Sequence, residues 1–408
     1  SACPSRDKNW VLAAAVLGST MAFVDESVVN VALPTIEADL GTTLAAMQWV
    51  INAYTLCMSA LLLIGGAAAD RFGRRVLFLT GVITFTLASI ACGCAPDIAT
   101  LIAARVVQGV GAALLIPCSL AIIGAAFEEQ ERGAAIGIWS GASALAAGAG
   151  PLLGGWLVDH LSWRAIFLIN PLIAIPTLWI AVRRLPESAD PSAHAALDWR
   201  GAALAFGGLG SLVYGLIAAS RLGWGDVSVV GALTAGALLL LGLVLEERRS
   251  AAPMMPLRLF GSRTFSGVNL LTLFLYGALG GAFFLLPFLL IQAHGFSATA
   301  AGAVYLPFTL VLAVLSRWSG GLADRFGARR PLIIGPLIAA GGFVLLAAVS
   351  GARPYWAYLG PMIVLGFGMA VTVAPLTTTV INSVKERETG VASGINKSQI
   401  RWSRRRGW

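Results

Sequence analysis

Two acidic residues stand side by side where the 408-residue chain is otherwise built for lipid: Asp25 and Glu26, in "FVDESVVNVALP" (Phe23–Pro34). No other charge falls between Trp10 and Leu33. A carboxyl group in so apolar a run is costly and faces a cavity or a partner. If its surroundings alternate between dry and wet, it takes up a proton on one side and releases it on the other, the minimum machinery for proton coupling. On a helical wheel Ser19, Thr20, Glu26, Ser27 and Asn30 fall within about 120°. Leu17, Met21, Val24 and Val28 make the opposite, lipid-like face, and Asp25 sits at the margin of the polar stripe. The wheel therefore favours Glu26 as the proton carrier. Arg105 is the one arginine well inside the fourth apolar run. It and Asp25 both lie roughly 10–12 Å from the same end of their runs at 1.5 Å per residue. Equal depth permits a carboxylate–guanidinium contact if the two helices are neighbours. Making or breaking such a contact moves the proton affinity.

The elements that must position these groups are membrane helices. Of the residues 57% are hydrophobic and 12% charged, with a mean hydropathy of +0.81, against about 25% charged in a soluble domain. The apolar runs are continuous, not alternating, which excludes a β-barrel. Twelve spans of roughly bilayer length are read, at 10–33, 44–64, 76–95, 98–123, 133–157, 164–182, 200–219, 227–245, 266–292, 299–318, 331–350 and 356–382. With the N-terminus in the cytoplasm, sixteen Lys and Arg residues fall in inside loops and three (Arg164, Arg221, Arg353) in outside loops, which sets the orientation. The first span has no cleavage site behind it and reads as a retained helix. Tyr54, Gln108, Trp139, Asn269, Tyr276 and Phe284 are polar or aromatic positions within spans and, with Asn30, are candidates to line a cavity. Aromatic rings near a carboxylate suit a lipophilic cation.

The chain repeats itself: "GGAAADRFGRR" (Gly65–Arg75) returns as "GGLADRFGARR" (Gly320–Arg330). Duplicated halves are the pattern of transporters with internal repeats. The copies follow the second and tenth spans, so the second half begins at the ninth span and spans seven and eight are an inserted pair. The domains expected are a six-helix bundle over 1–182, the inserted pair with its linkers over 183–264, a four-helix incomplete bundle over 265–396, and a basic tail over 397–408. That tail, "KSQIRWSRRRGW", holds five basic residues and two tryptophans. It reads as a truncated or frame-shifted end, with a basic tail on anionic lipid as the alternative. Gly73 and Gly327 suit tight turns, Asp70 and Asp324 can attract helix N-termini, and Arg71, Arg74, Arg75, Arg325, Arg329 and Arg330 meet acidic groups or headgroups. In the fifth span Gly148, Gly150, Gly154 and Gly155 allow close packing, and Pro151 allows a bend.

At these motifs the chain resembles the drug:proton antiporters of the major facilitator superfamily, in the branch with fourteen helices. "VDESVVNVALP" matches the first-helix signature, with Ser27 where Thr is usual. "GGAAADRFGRR" matches the loop motif, "RVVQGVGAALLIP" (Arg105–Pro117) the fourth-helix motif and "GAGPLLGGWL" (Gly148–Leu157) the fifth-helix motif of exporters, with Ala146 where Gly is common. "SWRAIFLINPL" also matches, one residue short after Asn170. The resemblance implies a two-bundle fold in a bacterial inner membrane and proton-driven export of lipophilic drugs or antibiotics, cationic ones included, by a monomer that needs no cofactor. It implies Asp25 as the coupling site, with Glu26 a second titrating or cation-attracting group. It places Asp25 and Arg105 on a central cavity. It makes the loop motifs a cytoplasmic latch, with Asp324 facing the helix near Gly133 and Asp70 one near Gly390. Other readings are an inactive fragment and an uptake symporter.

A net charge of +8 suggests nucleic acid, but the basic residues sit in short loops with no basic arm. The loops hold no phosphate-binding Gly-Lys-Ser/Thr. Five cysteines, four of them in apolar runs, do not make a disulfide framework. His160, His194 and His294 lie in or near loops. The pattern contains neither a metal cluster nor a nucleophile–base pair, which disfavours an enzyme.

Overall fold

The structure is a computed structural model and describes residues 5–187, 198–249, 257–319, 327, 329–351 and 354–382. Its helices are α1 (Ser5–Asp39), α2 (Leu44–Phe72), α3 (Arg74–Gly93), α4 (Ile98–Ala126), α5 (Glu129–His160), α6 (Ala165–Arg184), α7 (Trp199–Leu222), α8 (Val227–Arg249), α9 (Arg263–Phe288), α10 (Ala298–Ala303), α11 (Leu306–Ser319), α12 (Arg329–Ala348) and α13 (Leu359–Asn382). Among the described residues, twelve stretches are long and apolar enough to cross a membrane. The tenth is in two pieces, α10 and α11. Pro307 has no N–H to carry the ladder on from Ala303, and the chain turns at Val304–Tyr305.

Local chemistry sets where several helices start. The side chains of Thr43, Asp97, Asp198, Ser262 and Ser297 accept from the backbone N–H three residues on. Each thereby satisfies a donor that the first turn leaves free. Several large apolar side chains of α7 and α8, among them Leu209, Leu216, Leu238 and Leu241, are exposed. In water so broad an apolar surface would aggregate; in lipid it is the natural outer face.

By its contacts the chain falls into two units, Ser1–Gly150 with His160–Met254, and Pro151–Asp159 with Met255–Trp408. In the first, α4 packs on α2 and α3, α6 on α1 and α3, and the α7–α8 pair rests on α2. Small residues hold these contacts where there is no water to expel. A Cβ on Gly111 of α4 would lie 2.6 Å from Phe85 N of α3. In the second unit α13 packs on α11 and α12, and a Cβ on Gly342 of α12 would lie 2.8 Å from Leu365 N of α13. The trio α11, α12, α13 thus repeats the pairing of α2, α3, α4, in the register of the repeated motif.

The motif itself is not a loop in its first copy. Asp70 and Arg71 belong to the last turn of α2, and Gly73 alone joins it to α3. Its φ of +103° is a conformation that side chains rarely adopt. Gly327, in the second copy, has φ +72°, and both glycines precede a helix that opens on two arginines. Asp324 and Arg325, His194 and the tail 397–408 lie outside the described residues.

One expectation about α1 is corrected. Met21, Val24 and Val28 are buried and Leu17 is half-buried, so they form no lipid face. Helices α2, α4 and α6 pack around α1, and the apolar side of its wheel is core.

Candidate functional site

Five helices of the first unit close around Asp25, most of them with two residues one turn apart. From α1 comes Asp25; from α4, Arg105 and Gln108; from α3, Ser89 and Cys92; from α6, Phe167 and Asn170; from α2, Val50 and Tyr54. Asp25 is 0% and Arg105 1% exposed. Arg105 Nη1 donates to Asp25 Oδ2 in an ion pair, and to Gln108 Oε1 at 2.8 Å. Its Nε donates to Val50 O at 3.1 Å, and its guanidinium lies 4.2 Å from the centre of the Tyr54 ring. The other carboxylate oxygen, Oδ1, accepts from Gln108 Nε2 at 2.7 Å and Asn170 Nδ2 at 3.0 Å. Both amides also reach Ser89 Oγ, at 3.3 and 2.8 Å, and Ser89 Oγ donates to Phe167 O at 2.8 Å. Cys92 Sγ donates to Gln108 Oε1 at 3.6 Å. Two polar atoms beside the pair, Tyr54 OH and Asn170 Oδ1, have no partner among the described residues.

Such a pair is held by its hydrogen bonds. Dehydrating both charges is expensive, and attraction repays it only where the remaining donors and lone pairs are satisfied. Here the carboxylate receives three donors and the guanidinium finds three acceptors.

Glu26, the next residue, is exposed. The residues one turn away on its face, Ala22, Phe23, Val29 and Asn30, are buried or half-buried. Glu26 is therefore accessible in a face that is otherwise covered. Asn30 Nδ2 donates to the Glu26 carbonyl at 3.1 Å. Ser27 Oγ folds back onto Phe23 O and Val24 O, at 3.0 and 2.9 Å. Gly150 of α5 lies so close to Ser27 that a Cβ there would overlap its hydroxyl. The other packing candidates are buried too: Gly148, Pro151, Gly154 and Gly155. In the second unit Gly155 abuts Ala298 and the Pro151 carbonyl abuts Gly302. α5 runs through Pro151 as one unbroken helix.

Several residues expected to line a cavity do not. Gln108 is fully buried in the Asp25 cluster, and Tyr54 is buried under Arg105. Trp139 is buried, its Nε1 donating to Ser19 Oγ at 2.9 Å. Polar character marked these positions correctly as unusual, but their partners are one another. Asn30 is half-buried on the face of Glu26. Asn269, Tyr276 and Phe284 are half-buried on α9, in the second unit. Asn269 donates to Phe265 O at 2.8 Å and Phe284 stacks on Phe288.

Three contacts were not foreseen. Glu187, after α6, accepts from Arg75 N at 3.2 Å at the N-terminus of α3. A Cβ on Gly73 would lie 2.6 Å from its Oε1, and Arg75 also donates to Val182 O at 2.5 Å. A carboxylate suits that end of the helix dipole. Asp39 ties the end of α1 to Trp163 Nε1 at 2.7 Å and Arg164 Nη1 at 3.0 Å. In the second unit Asp159 takes the N–H groups of Ala298 and Thr299 at 3.0 and 2.7 Å, capping α10. The signal for Asn170 was present: an amide in the middle of an apolar run.

Comparison with known proteins gives one family. A model of the Major Facilitator Superfamily matches residues 15–402. The tetracenomycin C resistance and export protein of Streptomyces glaucescens is 35% identical over 402 residues, 97% of this chain and 74% of that protein. The puromycin resistance protein pur8 of Streptomyces alboniger is 37% identical over 408 residues, 98% of this chain and 80% of that one. Among solved structures, a bacterial homologue of the human lysosomal transporter Spinster, inward-facing and unoccupied, gives a TM-score of 0.67 at 19% identity. That match covers 96% of this chain and 79% of the other. A POT family transporter gives 0.70 at 13% identity, covering 96% and 87%. At such identities these structures share the fold and carry no more.

Proposed function

The chain belongs to the Major Facilitator Superfamily, and from that membership we propose that it is an efflux transporter exchanging protons for lipophilic drugs or antibiotics, cationic ones included, by alternating access. Relatives named for export or resistance support the direction of transport. The observation that carries the coupling is the ion pair of Asp25 and Arg105, wholly buried in membrane helices. A carboxylate so placed is retained at a cost. Arg105 and the two amides favour its charged form, so a movement that weakens the Arg105 contact raises its proton affinity. Asp25 is the coupling group. Glu26, exposed one residue on, attracts the cationic end of a substrate. Asn30 in the first unit, and Asn269, Tyr276 and Phe284 in the second, are substrate-contacting residues.

The Asp-Arg-Phe-Gly joints, Asp70–Arg75 and Asp324–Arg330, act as the latch on the cytoplasmic side. The repeated left-handed glycine supports this, as does the anchoring of Arg75 to the end of α6. The packing glycines of α5 and Pro151 let the two bundles rock. The protein works as a monomer in a bacterial plasma membrane, its N-terminus in the cytoplasm. It uses the proton gradient and no cofactor.

The test is efflux of the lipophilic cation ethidium from energised cells making the full chain. Wild-type efflux stops when the pH gradient is collapsed. Asp25→Asn abolishes gradient-driven efflux. Glu26→Gln keeps the response to the gradient and raises the half-saturating concentration for cationic, but not neutral, substrates. Coupling that survives Asp25→Asn and fails in Glu26→Gln would reverse the assignment.

A further inference from the structure

We propose that Asn170 is the positioning residue that reports the charge of Asp25, by turning its side-chain amide over when Asp25 takes up a proton. The proposal rests on the reading of Asp25 as the coupling site and adds the partner that makes both of its states stable.

The argument starts from which oxygen can carry the proton. Oδ2 faces Arg105 Nη1, a permanent donor, so an added proton forms its bond at Oδ1. In this structure both neighbours of Oδ1 are donors, Gln108 Nε2 and Asn170 Nδ2. An O–H there would point at two N–H groups and have no acceptor. One of the two amides must present its oxygen, because a buried O–H without a partner is heavily penalised.

The two amides are not equivalent. Gln108 Oε1 is held by Arg105 Nη1 at 2.8 Å and by Cys92 Sγ at 3.6 Å. Reversing it would set an N–H against the guanidinium. Asn170 Oδ1 is buried and has no partner among the described residues. Reversing Asn170 forfeits its donation to Ser89 Oγ and moves Nδ2 to the buried place that Oδ1 now holds without a partner among the described residues, so one unpaired polar group replaces another, while Ser89 still receives Gln108 Nε2 and still donates to Phe167 O. The reversed amide sets Oδ1 where the Oδ1–H of Asp25 needs it. With a charged Asp25 the same orientation would oppose two oxygens, so the arrangement in this structure belongs to the ionised carboxylate. The other titratable or charged groups around Asp25 are Arg105 from α4, Tyr54 from α2, Cys92 from α3 and Glu26 on α1. Tyr54 OH has no partner among the described residues, and the carboxylate contacts described leave Oδ1 to the amides alone.

The test is infrared difference spectroscopy of the full chain in liposomes, between alkaline and acid pH. One sample carries carbon-13 at the side-chain carbonyl of asparagine, another at that of glutamine. An Asp25 carboxylic-acid band should appear on acidification and be lost in Asp25→Asn. With the same pH midpoint, an asparagine-labelled band should move to lower frequency as a free amide carbonyl gains a hydrogen bond. That band should vanish in Asn170→Ala, which assigns it. No glutamine-labelled band should follow the Asp25 midpoint. An Asp25 band with no accompanying asparagine shift, or with a glutamine shift in its place, overturns the proposal and leaves proton coupling intact. The absence of any Asp25 band overturns the coupling reading, and the amide reversal with it.

Discussion

Arg105 ties its own helix α4 to α1 and α2 through its contacts with Asp25, Val50, Gln108 and the Tyr54 ring. Arg105→Ala leaves a carboxylate buried without its counter-charge, a loss of about 3–5 kcal/mol in stability. Thermal unfolding of the detergent-solubilised protein should show a clear drop in midpoint. The double substitution Asp25→Asn, Arg105→Gln removes both charges and keeps hydrogen-bonding groups, so it should recover most of that loss while efflux stays dead. A double variant no more stable than Arg105→Ala would mean that Arg105 acts by its contacts with Val50 and Tyr54, not by its charge. The sequence made part of this legible. Equal depth of Asp25 and Arg105 along their helices permitted their meeting, and the packing of α1 on α4 supplies the rest. The helical wheel was not enough to rank Asp25 against Glu26, because a wheel presumes one wet side and one lipid side. α1 has neighbours on several sides, so its buried polar residues need not share a stripe. Gln108 and Tyr54 were noticed for their polarity but assigned to a cavity, since nothing along the chain says which polar groups will find each other.

At the scale of the element, helix starts were open to reading and helix contacts were not. A Ser, Thr or Asp before an apolar run caps whatever packing follows, because the capping bond is local. Asp97 is such a cap, outside the membrane spans. The N–H of Thr100, then its hydroxyl, hold the Asp97 carboxyl below its ordinary value. A lowered value in the folded state means that the charged cap stabilises the start of α4 above the unfolded carboxyl value, about 3.9. That contribution fades as the pH falls below it through the folded value. Amide exchange at Thr100 should therefore speed up in Asp97→Ala at neutral pH, and stay near wild type in Asp97→Ser. In the wild type, protection corrected for the intrinsic rate should fall only on strong acidification. Equal protection in Asp97→Ala would show that packing alone fixes the helix start. Glu187 at the N-terminus of α3 escaped notice for the opposite reason. It lies 112 positions from Arg75, and only the return of α6 beside α3 brings it there. The motif at Gly65–Arg75 read as a loop because Gly and charged residues break helices on average, whereas here α2 continues to Phe72 and a single glycine makes the joint.

On the scale of the whole molecule, the hydropathy runs delivered twelve spans, since apolar length is a property of the chain that survives folding unchanged. The pairing of helices within each unit rests on small residues meeting across turns, Gly111 on Phe85 or Gly342 on Leu365, and a composition rich in glycine does not say which ones meet. Orientation is the remaining large-scale property, and a native residue can report it. If sixteen basic residues against three put the N-terminus inside, α3 runs outward and its far end faces the exterior. Cys94 sits just beyond that end and is exposed, whereas Cys57, Cys92 and Cys118 are buried. A membrane-impermeant maleimide added to intact cells should therefore modify the wild-type chain at Cys94, and Cys94→Ser should lose that label. Modification of Cys94 only in inside-out membrane vesicles, and not in intact cells, would place the end of α3 in the cytoplasm. The charge rule would then fail for this chain, and the proton would have to enter Asp25 from the opposite side.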